Sequence, residues 1–254
     1  FDTFDLLIIN EKKYIDGACI SVHTYRKYGN KNIEHNILID QTISKSGIKK
    51  LEKFFDRVIR INLVKKWPKK ENIGSYIPYI KTSFEINKLK TKKSIERYGK
   101  WINYSPSKWT ILLFDEYKKI LFCDIDTLAV SDYTKVFLEK TPAWVCFHKA
   151  TLSLNNYSNI IKNTNKGDKM DSSFLKKYVK YSKSDICKKN KDIDFIPVNA
   201  SIVLLKPSMD DFHNIYNLMK KDIDKNGFYK SITDSSAPDE NVLFEYYVCK
   251  KKKI

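Results

Sequence analysis

The sequence predicts an α/β domain with a mainly parallel central sheet flanked by helices. Short apolar runs recur through its first part. Segments of helical period separate them. A pair of carboxylates directly follows one such run, Ile120-Leu121-Phe122-Cys123. Strands alternating with helices in short order make βαβ units, and these require parallel pairing. At 254 residues, of which 42% are hydrophobic, the chain can bury one large core, and no linker suggests a second domain.

Leu6-Leu7-Ile8-Ile9 reads as the first buried strand. A helix follows, with Ile15, Ala18, Cys19, Val22 and Tyr25 at helical spacing and Tyr28-Gly29-Asn30 as its stop. Asn36 to Asp40 is the second strand, Ser46 to Phe55 the second helix, and Arg57 to Leu63 alternates as a third strand. Residues 65–104 turn basic and irregular, broken by Pro68 and Pro78, and read as an insertion. A helix from about Ser107 to Tyr117 leads into the carboxylate strand. After it come a helix over Asp132 to Leu138 and a strand over Trp144 to Phe147. Residues 149–194, rich in Lys, Asn and Ser, form a second excursion. Order resumes at Ile196 to Asn199 and the strand Ser201 to Leu205, followed by a long helix from about Ser208 to Lys225. Pro238 at a first helical position, with Asp239 and Glu240 behind it, opens a final amphipathic helix.

Asp124 and Asp126, one residue apart at the end of their strand, are the most informative pair in the chain. Loops gather at the carboxyl ends of parallel strands to form ligand sites. Two anions there are costly to desolvate unless something pairs them. A divalent cation carrying a phosphorylated ligand is a natural partner. On spacing alone, exposed loop carboxylates without a ligand are the competing reading.

The net charge of +17 raises nucleic-acid binding as a question. The lysines are spread along the chain without an RNP, zinc-finger or helix-turn-helix pattern, so nucleic acid is not the expected partner. Enrichment in Lys, Asn and Ile together suits AT-rich coding DNA. The charge still favours anionic ligands in general. The five cysteines lack CxxC and metal-ligand spacing, which predicts reduced thiols in a cytoplasmic location; the AT-rich composition would also suit a giant virus, and with it a virus factory, or an AT-rich eukaryotic parasite. A glycan on the Asn199-Ala200-Ser201 sequon would block the expected site, which points the same way. No stretch approaches the roughly 20 apolar residues of a membrane span, and no signal peptide is read at the start. Phe1 in place of Met suggests a trimmed beginning, and the Lys250 to Lys253 run before Ile254 suggests a chain cut in mid-course.

Several segments stand in a telling order: Tyr14-Ile15-Asp16-Gly17-Ala18, Lys108, Asp124-Ile125-Asp126-Thr127-Leu128, Val198-Asn199-Ala200-Ser201-Ile202, and Asp239-Glu240-Asn241. This series resembles the glycogenin-like members of glycosyltransferase family 8, and the resemblance covers nearly the whole chain outside the two insertions. It implies a single GT-A, Rossmann-like domain over residues 1–254. It also implies a retaining enzyme that moves a hexose, glucose by default, from a UDP-sugar to a hydroxyl of a protein or glycan acceptor.

Residue by residue, Asp124 and Asp126, with Ile125 between them, match the family's DxD, which holds Mn2+ (or Mg2+) and through it the UDP diphosphate. Ile8, Asn10 and Tyr14 fall where the family holds uridine. Lys108 matches a lysine on the nucleotide sugar. Asn199 matches the Asn of an Asn-Ser-Gly motif near the donor sugar, and Asp239 the Asp of an Asp-Gln pair. Together, Lys108, Asn199 and Asp239 are the expected catalytic set. The chain departs from the pattern in three places. It has no C-terminal HxxGxxKPW segment to supply a third metal ligand, and His23, His35, His148 and His213 lie outside any such context. Ala200 and Ser201 replace Ser and Gly, and Glu240 replaces Gln. None of the sixteen tyrosines stands out as a self-glycosylated acceptor. Two other readings stay open: a catalytically inactive, polyanion-binding GT-A scaffold, and a haloacid-dehalogenase-type phosphatase, which also carries two aspartates after an apolar strand. A homodimer is kept open among the partners.

Overall fold

The computed structural model describes residues 2–8, 14–99, 101–145, 187, 196, 198–234 and 236–251, the first of these segments as backbone alone. Asn10, Ile9, Cys146, Phe147, Pro197 and all of the 149–194 excursion except Cys187 lie outside the described residues. Eight strands are present among those described: β1 (Asp2–Ile8), β2 (Glu34–Ile39), β3 (Arg57–Arg60), β4 (Asn62–Val64), β5 (Tyr76–Pro78), β6 (Lys119–Cys123), β7 (Ala143–Val145) and β8 (Asn199–Leu205). The α-helices are α1 (Tyr14–Tyr28), α2 (Lys45–Leu51), α3 (Ser83–Lys88), α4 (Lys92–Tyr98), α5 (Met209–Asn226) and α6 (Pro238–Phe244).

Six strands form one sheet in the order β3-β2-β1-β6-β8-β7. β3, β2, β1 and β6 pair in parallel, and β8 alone runs against its neighbours β6 and β7. Strand alternation divides the core between the two faces. Ile37, Ile39, Leu121, Cys123 and Leu204 pack with Val22 of α1 and Leu51 of α2. Leu38, Ile120, Phe122, Val203 and Leu205 pack with Phe212 and Tyr216 of α5 and Val242 of α6. Both faces of the central strands are therefore covered, which is why they read as continuous apolar runs. This is the α/β domain with a mainly parallel sheet that the sequence predicts.

Four expectations are corrected. The predicted strand Arg57 to Leu63 divides at Ile61, whose N–H still bonds to Ile39 O at 2.8 Å, while β4 leaves to pair in parallel with β5. An alternating pattern looks the same in either sheet, so periodicity cannot show the change of partner. The helix expected from Ser107 lies earlier, as a 3-10 segment Ile102–Leu113 with Pro106 inside it. Proline lacks the N–H an α-helix needs there, and the segment is buried nearly all round, so it carries no amphipathic stripe to read. The final helix is not amphipathic either: every residue of α6 but Glu240 is buried, and it runs on into a π-helix Glu245–Lys250. Lastly, Cys187 and Cys249 form a disulfide, so the reading of five reduced thiols fails at these two. A partner 62 residues away leaves no mark in local spacing.

Where the sequence supplies caps, the helices use them. Ser208 accepts from Asp211 N–H at 3.2 Å and opens α5. Gly227 closes α5 in the left-handed conformation at φ +78°, where a Cβ would be strained.

Candidate active site

β1 and β6 are parallel neighbours, and the chain proceeds from β1 to one side of the sheet and from β6 to the other. Such a switch point leaves a crevice beyond the strands' carboxyl ends. A cavity of about 340 Å³ opens there, and its lining includes Tyr14, Lys108, Asp124, Ile125, Asp126 and Asp239. A larger groove of about 480 Å³, between α5 and the π-helix, has no carboxylate among its described lining residues. The candidate chemistry therefore belongs to the smaller space.

The carboxylate loop is held from both ends. Asp124 N–H extends the sheet by bonding to Ser201 O at 2.7 Å. Thr127 then turns the loop back, its N–H and hydroxyl both donating to Asp124 O at 3.0 and 2.6 Å. Helix α1 pins the turn from below: Ser21 donates to Thr127 O at 2.8 Å and Tyr25 to the Thr127 hydroxyl at 3.1 Å. Two carboxylates are thus carried on a braced loop over a rigid strand. Asp126 is exposed, and among the described residues it makes no hydrogen bond or ion pair.

Lys108 reaches the same cavity from the opposite wall. It sits inside the 3-10 segment, not at a helix start, and is only 8% exposed. Its ammonium lies 3.2 Å from Asp124 Oδ1 and 2.6 Å from Asp239 Oδ2, with Ala200 O at 3.5 Å. The rings of Phe122 and Trp109 cover it at 5.2 and 5.9 Å. Burial works against the charge, but the two carboxylates outweigh it and hold Lys108 protonated well above the usual lysine range. Asp239, in the first turn of α6, is 2% exposed, and its Oδ1 has no hydrogen-bond partner among the described residues. A buried carboxylate oxygen without a partner, on a residue that lines a cavity, is the kind of atom a ligand hydroxyl satisfies.

Glu240 bridges the two segments on this side. Its carboxylate accepts from Ala237 N–H at 3.0 Å and Ala200 N–H at 3.4 Å, tying the start of α6 to the start of β8. Burial, helped by the neighbouring Asp239 charge, pushes its pKa up to about 7.

Most of the expected set converges: Tyr14, Lys108, Asp124, Ile125, Asp126 and Asp239 all line one cavity. Asn199 does not join them there. Its side chain folds back to accept from Ser201 N–H at 2.8 Å, and the next two residues, Ala200 and Ser201, line the cavity instead. Ile8 lies at the carboxyl end of β1, opposite Ile39, with its side chain outside the description, as is the whole of Asn10. Sequence reading missed Trp101, Ser105 and Phe122, which also line the cavity. Ser105 stands three residues before Lys108, one turn of the 3-10 segment, which puts the two on one side, and Trp101 caps the start of that segment.

The donor set suits a hard divalent cation such as Mn2+ or Mg2+. Both carboxylates offer oxygen ligands, and the exposure of Asp126 leaves room for phosphate and water oxygens to complete the coordination. Among the described residues no third His, Cys, Asp or Glu joins them.

No protein-family model matches the chain, and no curated protein sequence matches it. Solved structures overlap with it at low identity. An active-site glutamine-to-glutamate variant of LgtC overlaps with a TM-score of 0.48 and 13% identity, over 96% of this chain and 69% of that one. The galactosyltransferase LgtC with donor and acceptor sugar analogues gives 0.45 and 12%, with the same coverage. The bifunctional glycosyltransferase WbbM gives 0.47 and 12%, over 96% of this chain and 37% of that one. With TM-scores below 0.5, these overlaps assign no activity to this chain.

Proposed function

We propose that the chain is a glycosyltransferase of the GT-A type that takes its sugar from a UDP-sugar with retention of anomeric configuration, Asp124 and Asp126 holding a divalent cation. One observation carries the reading: a buried lysine, clamped by Asp124 and Asp239, shares a cavity with an unpaired carboxylate on the strand-end loop. Two carboxylates and an enclosed cation suit a ligand that is a diphosphate at one end and a polyhydroxyl at the other. The net charge of +17 would draw such an anion in.

The bound cation would supply positive charge against the diphosphate. The remaining roles fall to the chain. Lys108 places a fixed ammonium where negative charge develops on the leaving diphosphate, and its two carboxylates spare it reorganisation during reaction. Asp239 Oδ1 accepts from a hydroxyl of the transferring sugar and so fixes its orientation. Glu240 keeps the Ala200 and Ala237 walls at their spacing. Tyr14 packs against the nucleoside. The anomeric carbon breaks its bond to the diphosphate oxygen and forms one to the acceptor oxygen on the same face. The acceptor hydroxyl's proton passes to the departing phosphate.

The test is UDP release from UDP-glucose and UDP-galactose with Mn2+ present. Asp124→Asn should abolish metal-dependent release while the far-ultraviolet circular dichroism stays native. Unchanged release by that variant contradicts the proposal.

A further inference from the structure

We infer that Trp101 is a stacking platform for a pyranose ring, so that the acceptor is a saccharide and not a bare protein side chain. The inference rests on the donor reading above for the word acceptor alone; the platform itself rests on the geometry around the indole.

Trp101 lines the same cavity as Lys108 and Asp239. On the segment that carries Lys108, that lysine and Ser105 are buried, whereas Trp101 just before them is partly exposed. Tyr14 sits across the carboxylate loop at the start of α1, on the β1 side. The two aromatic residues come from different elements, Tyr14 from the start of α1 and Trp101 from just before the 3-10 segment. A ligand whose diphosphate lies at the aspartates and whose base lies toward Tyr14 leaves Trp101 for what enters from outside.

The indole is held ready for such a role. Its Nε1–H donates to Arg97 O at 2.9 Å, so the one polar atom of the side chain is already satisfied. Tyr98 packs on it at 5.9 Å between ring centroids, and Phe84 packs on Tyr98 at 5.7 Å. The Arg97 guanidinium lies over the Tyr98 ring at 5.1 Å. This ladder fixes the plane of Trp101 without engaging its polar edge further. An aromatic face is electron-rich, and the axial C–H bonds of a pyranose carry partial positive charge, so the two pack face to face while the sugar hydroxyls stay hydrated or reach polar groups.

The test is saturation-transfer NMR with methyl β-glucoside, methyl β-galactoside and methyl α-mannoside, run on the whole chain. UDP with Mn2+ is titrated in parallel on the same samples. The expected result is saturation of the axial ring protons of at least one glycoside. Affinity should fall roughly three- to tenfold in Trp101→Ala and largely survive in Trp101→Phe. Should the alanine variant fail to fold, the indole resonance of 5-fluorotryptophan-labelled protein, assigned with Trp101→Phe, must shift on adding glycoside. Glycoside binding unaltered by Trp101→Ala, or no binding while UDP binds, overturns the platform and leaves the donor reading standing. Loss of UDP affinity in place of glycoside affinity would make Trp101 a base platform and equally overturn it. Glycoside binding without UDP binding would keep the platform and remove the donor reading.

Discussion

Replacing Lys108 with methionine separates a structural ion cluster from a decorative one. The side chain keeps an unbranched form, one atom shorter, and loses its charge. Asp239 is then left 2% exposed with no cation at either oxygen among the described residues, since Lys108 Nζ at 2.6 Å is its ion-pair partner there. Breaking a buried pair from one side costs about 3–5 kcal/mol, because the stranded charge keeps its desolvation penalty. Asp124 adds little to this sum: its side chain is 34% exposed and water screens it. At about 2–4 °C per kcal/mol for a domain of this size, the melting temperature should fall by roughly 6–20 °C. Thermal unfolding followed by circular dichroism at pH 7 reads the shift. Adding Asp239→Asn to Lys108→Met removes the stranded charge, so the double variant should regain most of the loss. A single variant melting within about 2 °C of the parent, or a double variant no more stable than the single, refutes the reasoning.

Two further outcomes follow from the same geometry. The folded-state pKa of Glu240 is raised to about 7, so the folded chain retains a proton that the unfolded chain releases from about pH 4.5 upward. Its contribution to stability is full below that window and is lost as pH rises through about 7. Glu240→Gln should therefore gain on the parent as pH rises from about 4.5 to about 7 in paired melting curves, and hold that gain above it. The opposite slope of His35, whose burial lowers it to about 4, is common to both proteins and cancels in the difference; parallel curves contradict the assignment. Ser208→Ala removes the cap of α5 and should cost about 1 kcal/mol in urea unfolding, with an unchanged midpoint as the contrary result.

How far the sequence could be read depended on what kind of signal each element leaves. β2, β6 and β8 announce themselves because burial on both faces makes unbroken apolar runs. α1 shows because one face alone is buried. Asp124 and Asp126 were legible because paired anions after such a run have few structural uses. The 3-10 segment was misplaced since burial all round erases periodicity, and with it went Trp101 and Ser105. The division of the third strand, the bond between Cys187 and Cys249 and the fold-back of Asn199 depend on partners distant in sequence or on local turn geometry that residue type does not fix. The triad of Lys108, Asp124 and Asp239 lies between these cases: its members could be nominated singly, but only the fold brings one ammonium within reach of both carboxylates.

The most direct test of a nucleotide-sugar site is calorimetric titration of UDP with and without Mn2+, on the parent chain and on Asp126→Ala. Asp126 is exposed and unpaired among the described residues, so its removal should leave the melting temperature unchanged. The expected result is UDP binding that requires the metal and is lost in the variant. Metal-independent UDP binding of equal strength in both proteins, or no binding by a folded parent chain, would contradict it.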